Sequence, residues 1–325
     1  MPQALTAQIL RQGGPEVIQW VDQDIPEPSR NEVRMRNTVV GLNYIDTYHR
    51  SGVYPVELPS GLGVEAAGVI EAIGEGVDAF APGDRVATFG PLRGAYSTKR
   101  NIPSSMLFKL PANIDDEVAA AALLKACTAE FLVERCARVE AGWPVVVHAA
   151  AGGVGLLLVQ WLKSVGAQVI AVVSSRRKAT SARQAGADDV VLGDEPLVAR
   201  VRALTGGRGA RVVFDGVGRA TFESSLDCLT MRGLLVSFGN ASGKVDQFDI
   251  SALAAKGSLF VTRPTLFDYY SDAVERDAGA ARVFAVLGSG QLSVTIGQRY
   301  ALEEAARAHA ELEGRQTTGS SILMV

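Results

Sequence analysis

Apolar positions along this chain follow two different rhythms. Over the first third, short β-branched and apolar runs (VIQWVD, EVRMRNTVVGLN, GLGVEAAGVIEAIGEGV, PGDRVATFG) are broken by Gly and Pro at close intervals. That spacing predicts a compact, mostly antiparallel β domain with barrel-like closure. A helical pattern then starts near Asp115 in DDEVAAAALLKACTAEFLVERC. From Trp143 the chain alternates: VVVHA, then VGLLLVQWLKSVG, QVIAVVS, RRKATSARQAGA, DDVVL, PLVARVRALTGG, RVVFDGV, ATFESSLDCL, LLVSFG and SLFVTRP. Strands alternating with helices at this spacing imply right-handed crossovers and a parallel sheet covered on both faces. The tail from about Thr265 carries two amphipathic patterns, YYSDAVERDAGAARVFAVLGSG and LEEAARAHAELEG, and a closing strand, SSILMV. It has too few strands for a third domain and is expected to pack back on the first. The domain reading is therefore 1–124, 125–264 and a returning segment 265–325.

A length of 325 residues fits two hydrophobic cores better than one. The net charge of −3 and pI near 5.8 offer no strong basic field for nucleic acid or an anionic membrane. The first seventeen residues lack the basic start and apolar run of a signal peptide, so a cytoplasmic protein is expected. The nearly apolar stretch from Pro144 to Leu162 changes from strand-like to helix-like halfway and holds His148, Gln160 and three glycines. A strand, turn and helix fit it better than a membrane span. Cys127, Cys136 and Cys228 are isolated and odd in number, as packing residues in a reduced protein would be.

The decisive stretch is residues 145–155, VVVHAAAGGVG. A dinucleotide grip needs a strand, a glycine-rich turn and a helix inside a βαβ unit. Here 150–155 read A-x-G-x-x-G. Gly152 stands where backbone must approach a pyrophosphate, Gly155 where the helix packs on the strand, and Ala150 replaces the first glycine. A helix starting near Val154 would present free N–H groups and a positive dipole end to phosphates. The end of the next strand distinguishes the two dinucleotides. Sites for NAD carry Asp or Glu about 20 residues past the glycines to hold the ribose hydroxyls. This chain has Ser174 and Ser175 there, followed by Arg176, Arg177 and Lys178. A carboxylate would repel a 2′-phosphate, whereas hydroxyls and cations bind it, so NADPH is the expected cofactor.

On these residues the chain resembles the medium-chain dehydrogenase/reductase superfamily and, within it, the zinc-independent NADPH:quinone oxidoreductase branch to which zeta-crystallin belongs. The resemblance spans the whole length. It rests on HAAAGGVG at 148–155, GLNYIDTYHRSGVYP at 41–55, GLGVEAAG at 61–68, PGDRV at 82–86, RVVFDGVG at 211–218, LVSFGNASG at 235–243, LFVTRP at 259–264 and the ending TTGSSILMV. It implies a GroES-like catalytic domain built from both ends of the chain with a Rossmann domain inserted, the cofactor lying in the cleft between them. Where zinc-dependent relatives place a ligand Cys, this chain has Asn43. Where they place the His of a G-H-E motif, it has Val64, leaving only Glu65. Zinc needs three protein ligands, so no metal is expected.

A quinone is electron-poor and needs no Lewis acid to accept reducing equivalents, which suits a site that works by positioning. By resemblance, Asn43, Tyr48 and Tyr54 line the nicotinamide and quinone pocket. Tyr48 is the candidate for orienting the acceptor carbonyl or delivering a proton, or else a core aromatic. Thr128 stands beside the nicotinamide ribose or amide, Gly152, Gly153 and Val154 hold the pyrophosphate, and Ser174, Arg177 and Lys178 surround the 2′-phosphate. Phe238, Gly239 and Asn240 meet the nicotinamide, and Arg263 and Arg315 contact the cofactor. Gly193 occupies a place where some relatives have Tyr, and Asp215 reads as a structural strand-end carboxylate. The expected reaction is NADPH-dependent quinone reduction. The alternatives are reduction of an activated C=C bond in an enone, enal or enoyl thioester, and non-catalytic NADPH binding, as in crystallin or RNA-binding relatives. SLFVTRP, as an outermost strand, would pair across a two-fold axis, so a homodimer is expected.

Overall fold

The computed structural model describes residues 2–325. Contacts group the described residues into two units, 2–124 with 280–325, and 125–279.

In the first unit, strand Glu32–Leu42 is the spine. It pairs antiparallel with Glu65–Ile73, Lys99–Pro103 and Ser320–Met324. Arg85–Phe89 and Leu107–Lys109 extend one side, and Ile296–Ala301 runs parallel to Ser320–Met324 on the other. A second sheet orders Gln19–Asp24, Gln3–Ile9 and Ser60–Gly61. Thr6 bridges to Ser97 and the Leu5 amide donates to Thr98 Oγ1 at 3.1 Å, so the two sheets close toward each other. Alternate residues of the spine, Val33, Met35, Val40 and Leu42 among them, meet Ile70, Val86, Ile102, Tyr300 and Leu323 in a single core. Strands Gln3–Ile9, Lys99–Pro103 and Leu107–Lys109 have no counterpart among the runs picked out from the sequence. Their apolar positions are few and interrupted by Gln, Arg and Lys.

The second unit is a six-stranded parallel sheet. Its order is Asp189–Leu192, Gln168–Val173, Pro144–Val147, Ala210–Asp215, Leu229–Ser237 and Phe260–Thr262. Counted in chain order this is 3-2-1-4-5-6, the doubly wound arrangement, and it reverses direction between Pro144–Val147 and Ala210–Asp215. Val145, Val146 and Val147 have no exposed surface, as a strand covered on both faces requires. The returning segment was expected from residue 265, but residues 265–279 group with this unit. Tyr270 Oη donates to Glu130 Oε2 at 2.7 Å, Arg135 donates to the Tyr269 carbonyl at 2.9 Å, and the Tyr269 and Phe131 rings stack at 4.5 Å. Helix Asp116–Glu130 passes into a π-helical stretch, Phe131–Cys136, where a single α-helix was expected. Among the described residues no helix is long and apolar enough to cross a membrane.

Candidate active site

In the first unit the candidate residues gather around helix Tyr44–Ser51. Asn43 is its N-cap in extended conformation, and Asp46 Oδ2 accepts from the Asn43 amide at 2.9 Å, closing the first turn. The Asn43 side chain donates to Glu65 Oε2 at 2.8 Å, while Glu65 Oε1 takes the Leu124 N–H at 2.7 Å. Asn43 and Glu65 are both buried, so each orients the other. Gly52 ends the helix in the left-handed region, and the amides of Gly52 and Tyr54 both donate to the Tyr48 carbonyl at 3.1 Å. That turn brings Tyr54 back on Tyr48, ring against ring at 5.1 Å and edge-on. Tyr44, one turn before Tyr48, adds a third ring at 5.6 Å. Sequence reasoning passed over Tyr44, although its i, i+4 spacing to Tyr48 carried the signal. Burial and the Glu313 carboxylate hold the Tyr44 phenol above its ordinary range, and the Arg315 guanidinium pulls the other way. Arg315 lies in the left-handed region just past helix Ala305–Glu313.

In the second unit the glycine-rich turn has the predicted form. Ala149 turns in the left-handed region, Gly152 donates to its carbonyl at 2.9 Å, and helix Gly153–Ser164 follows. Gly152 caps the helix without a side chain, so the first-turn N–H groups around Gly153 and Val154 have no cap of the protein's own. Gly155 is demanded by packing, because a Cβ there would stand 2.4 Å from the Ala149 carbonyl oxygen. These features fit a pyrophosphate: bare amides, a positive helix end and no side chain in the approach.

At the end of strand Gln168–Val173, Ser174 is exposed and Ser175 caps helix Arg176–Gln184, accepting from the Lys178 amide at 3.4 Å. Arg176 and Arg177 are exposed and Lys178 half-buried. Gly193 hangs beside this strand end, its amide donating to the Val173 carbonyl at 2.9 Å. A side chain there would project past Ser174, so the glycine leaves the basic cluster open.

The third group lies at the carboxyl ends of the next strands. Asp215 is fully buried and accepts from the amides of Val217 and Gly218 and from the hydroxyls of Thr221 and Ser225, all within 3.0 Å. This fixes the turn after Ala210–Asp215. Arg263 donates to the carbonyls of Ser237 and Gly239 at 2.7 and 3.2 Å and, with the Asn240 amide oxygen turned toward it, to that oxygen at 3.0 Å. A Cβ on Gly239 would lie 2.2 Å from the Gly216 carbonyl oxygen, so the two loops touch through backbone. Phe238, Gly239, Asn240 and Arg263 thus form one assembly at the edge where doubly wound sheets hold ligands. Thr128 is buried on helix Asp116–Glu130, apart in sequence from this assembly. The Ser225 hydroxyl gives its proton to Asp215, so His148 Nε2 donates to Ser225 Oγ, 3.0 Å away, and burial holds the imidazole below the ordinary histidine range.

Comparison with known proteins agrees with both units. The alcohol dehydrogenase GroES-like domain family matches residues 29–112, and the zinc-binding dehydrogenase family matches residues 153–290. A quinone oxidoreductase of Pseudomonas aeruginosa is 49 % identical over 96 % of this chain and 97 % of its own. The crystal structure of Escherichia coli quinone oxidoreductase complexed with NADPH superposes with a TM-score of 0.97 at 44 % identity, covering 99 % of this chain and 100 % of that one. A 2-haloacrylate reductase from a Burkholderia species is 40 % identical over 98 % of both chains. This chain belongs to the quinone oxidoreductase family of medium-chain dehydrogenases/reductases. Among the described residues no three His, Cys, Asp or Glu side chains are grouped so as to hold a metal. At the positions read from the sequence, Asn43 supplies an amide, Val64 an apolar side chain, and Glu65 is engaged by Asn43 and the Leu124 amide. Burial raises the Cys136 thiol above its ordinary range and pushes that of Cys228 up to about 12.

Proposed function

We propose that this chain is an NADPH-dependent quinone oxidoreductase that works without a metal. One observation carries the cofactor choice. The strand end that would hold a carboxylate in an NAD site holds Ser174 and Ser175 instead, with Arg176, Arg177 and Lys178 opening the next helix. NADPH, when bound, supplies the reducing equivalents. The glycine turn at Gly152, Gly153 and Val154 takes the pyrophosphate, and Ser174, Arg177 and Lys178 take the 2′-phosphate. Phe238, Gly239 and Asn240, braced by Arg263, border the nicotinamide together with Thr128, and Arg315 is a further candidate for contact with the cofactor. Asn43 is held in place by Glu65 to line the acceptor site. Tyr48 and Tyr54 present ring faces to a flat acceptor, and the Tyr48 hydroxyl orients the quinone carbonyl or passes it a proton. A quinone accepts reducing equivalents readily, so the protein's task is alignment and the exclusion of water. The similarity to quinone oxidoreductases over nearly the whole chain supports the same reading. We further place the protein in the cytoplasm as a homodimer paired through strand Phe260–Thr262, acting on a small molecule and not on nucleic acid.

The test is the initial rate of nicotinamide oxidation with para-benzoquinone. Turnover is expected to be fast with NADPH, slow with NADH and indifferent to a chelator. Lys178→Ala and Arg177→Ala should each raise the KM for NADPH roughly tenfold and leave that for NADH unchanged, the effect of losing about 1.5 kcal/mol of charge-assisted hydrogen bonding. Turnover of 2-chloroacrylate or an enone with none of the quinone would move the reading to C=C reduction. Tight NADPH binding with neither acceptor reduced would leave a non-catalytic binding protein.

A further inference from the structure

The first unit has a cavity of about 580 Å³ that none of Asn43, Tyr48, Tyr54 or Arg315 lines. Its walls come from strands Gln3–Ile9, Gln19–Asp24 and Lys99–Pro103 and from the loop around Leu92 and Arg93. Much of the wall is apolar, including Val21, Ile25, Leu92 and Ile102. The volume is in the ordinary range of small-molecule sites, roughly 300–1,000 Å³.

The wall carries positive charge that the protein does not answer. Arg100 lies opposite Met35 in the strand pairing and on the same strand face as Ile102, both of them core residues. Its Nε is shut off from solvent and has no hydrogen-bond partner. Among the described residues it has no ion pair, and burial brings its guanidinium down to about 10, still charged at neutral pH. Arg93, on the facing loop, donates through Nε to the Ser60 hydroxyl at 2.9 Å and likewise meets no carboxylate. Lys99 is answered by Glu71 at 3.3 Å. Glu32 is the one carboxylate among the lining residues, and its Oε2 already accepts the Ser29 amide at 3.1 Å. Arg100 is half-buried, and a guanidinium that gives up part of its hydration without a counter-charge leaves a place for one at its solvent-reaching end. The planar fork of Arg matches a carboxylate. We propose that this cavity is a second binding site, for a small organic carboxylate with an apolar body, whose charge pairs with Arg100 and Arg93 while its body lies against Val21, Ile25 and Leu92.

The probe is 2-naphthoate, titrated calorimetrically into the full-length protein beside its neutral analogue 2-naphthamide. One-to-one binding of the acid is expected, with the amide at least tenfold weaker. Arg100→Gln should weaken the acid at least tenfold and leave the amide unchanged, whereas Tyr48→Phe, in the aromatic group of the other site, should leave the acid unchanged. Leu92→Glu alters an exposed position and puts a competing carboxylate on the wall. It should abolish binding with Arg100 intact, and it decides the matter should Arg100→Gln not fold. The proposal is overturned by absence of binding, by equal binding of acid and amide, by 2-naphthoate binding that survives Leu92→Glu, or by its loss in Tyr48→Phe.

Discussion

Asp215 shows how a single side chain can hold a loop without touching a ligand. Four donors close on its two oxygens, two backbone amides on one and two hydroxyls on the other, and no cation is among them. Asp215→Asn keeps the shape but turns an N–H₂ toward groups that can only donate or must reorient. The expected cost is about 3 kcal/mol, read as a lower urea midpoint with an unchanged slope. Its structural role was legible in the sequence, because a carboxylate at a strand end followed by Gly-Val-Gly has backbone amides within reach. The local form of two further turns was legible in the same way: Gly152 before helix Gly153–Ser164, and Ser175 as the cap of helix Arg176–Gln184. The Asn43–Glu65 pair was not: it joins the cap of one short helix to a strand more than twenty residues on, and that relation leaves no local mark.

Between elements, a buried arginine in the first unit ties helix Tyr44–Ser51 to helix Ala305–Glu313. Arg50, 2 % exposed, grips Glu313 through both terminal nitrogens at 2.7 and 3.0 Å and faces His309 Nδ1 at 3.3 Å. The guanidinium can only donate, so Nδ1 accepts, the imidazole proton sits on Nε2, and that N–H meets Tyr96 Oη at 2.9 Å. The Tyr96 hydroxyl in turn donates to Asp46 Oδ2 at 3.0 Å, and that carboxylate holds the Asn43 turn. A proton on Nδ1 would break this sequence. Burial, with Arg50 adding to it, accordingly lowers His309 to about 3, and burial with Arg93 lowers His49 to about 4. Both imidazoles take up protons more readily unfolded, near 6.5, than folded. Their contribution to stability is therefore whole above about pH 6.5 and lost progressively as pH falls toward 4 and then 3. Thermal unfolding followed from pH 7.5 to 4.5 should show a falling Tm, and His309→Gln, which cannot titrate, should flatten the slope. The strands and helices joined here were mostly visible as apolar rhythm. Strand Gln3–Ile9 was not, since its polar residues mask the alternation, and the π-helical stretch Phe131–Cys136 differs from an α-helix only in its hydrogen bonding.

For the whole molecule, the alternation of strands and helices was enough to predict the parallel sheet and its outermost strand. Phe260–Thr262 pairs on one side with Leu229–Ser237 and leaves its other edge open, and Phe260 is 59 % exposed. An open apolar edge is a template for a second strand. The proposed dimer predicts that Phe260→Lys halves the mass seen by light scattering, and a monomeric parent protein would dismiss that assembly. What alternation could not give was the share each stretch contributes to a unit: residues 265–279 side with the inserted sheet through Tyr269 and Tyr270, whose contacts are with side chains over a hundred residues earlier. The other end of the tail goes elsewhere. Ser320–Met324 lies between Ile296–Ala301 and Glu32–Leu42, inside the largest sheet and not at its margin. During synthesis the parallel sheet, complete by residue 279, can therefore fold while the β unit still lacks an internal strand. Helix Tyr44–Ser51, made early, must wait for Glu313 to gain its buried ion pair, and strand Glu32–Leu42 must wait for Ser320–Met324 to gain its neighbour, so the first unit is closed by residues made some 270 positions apart.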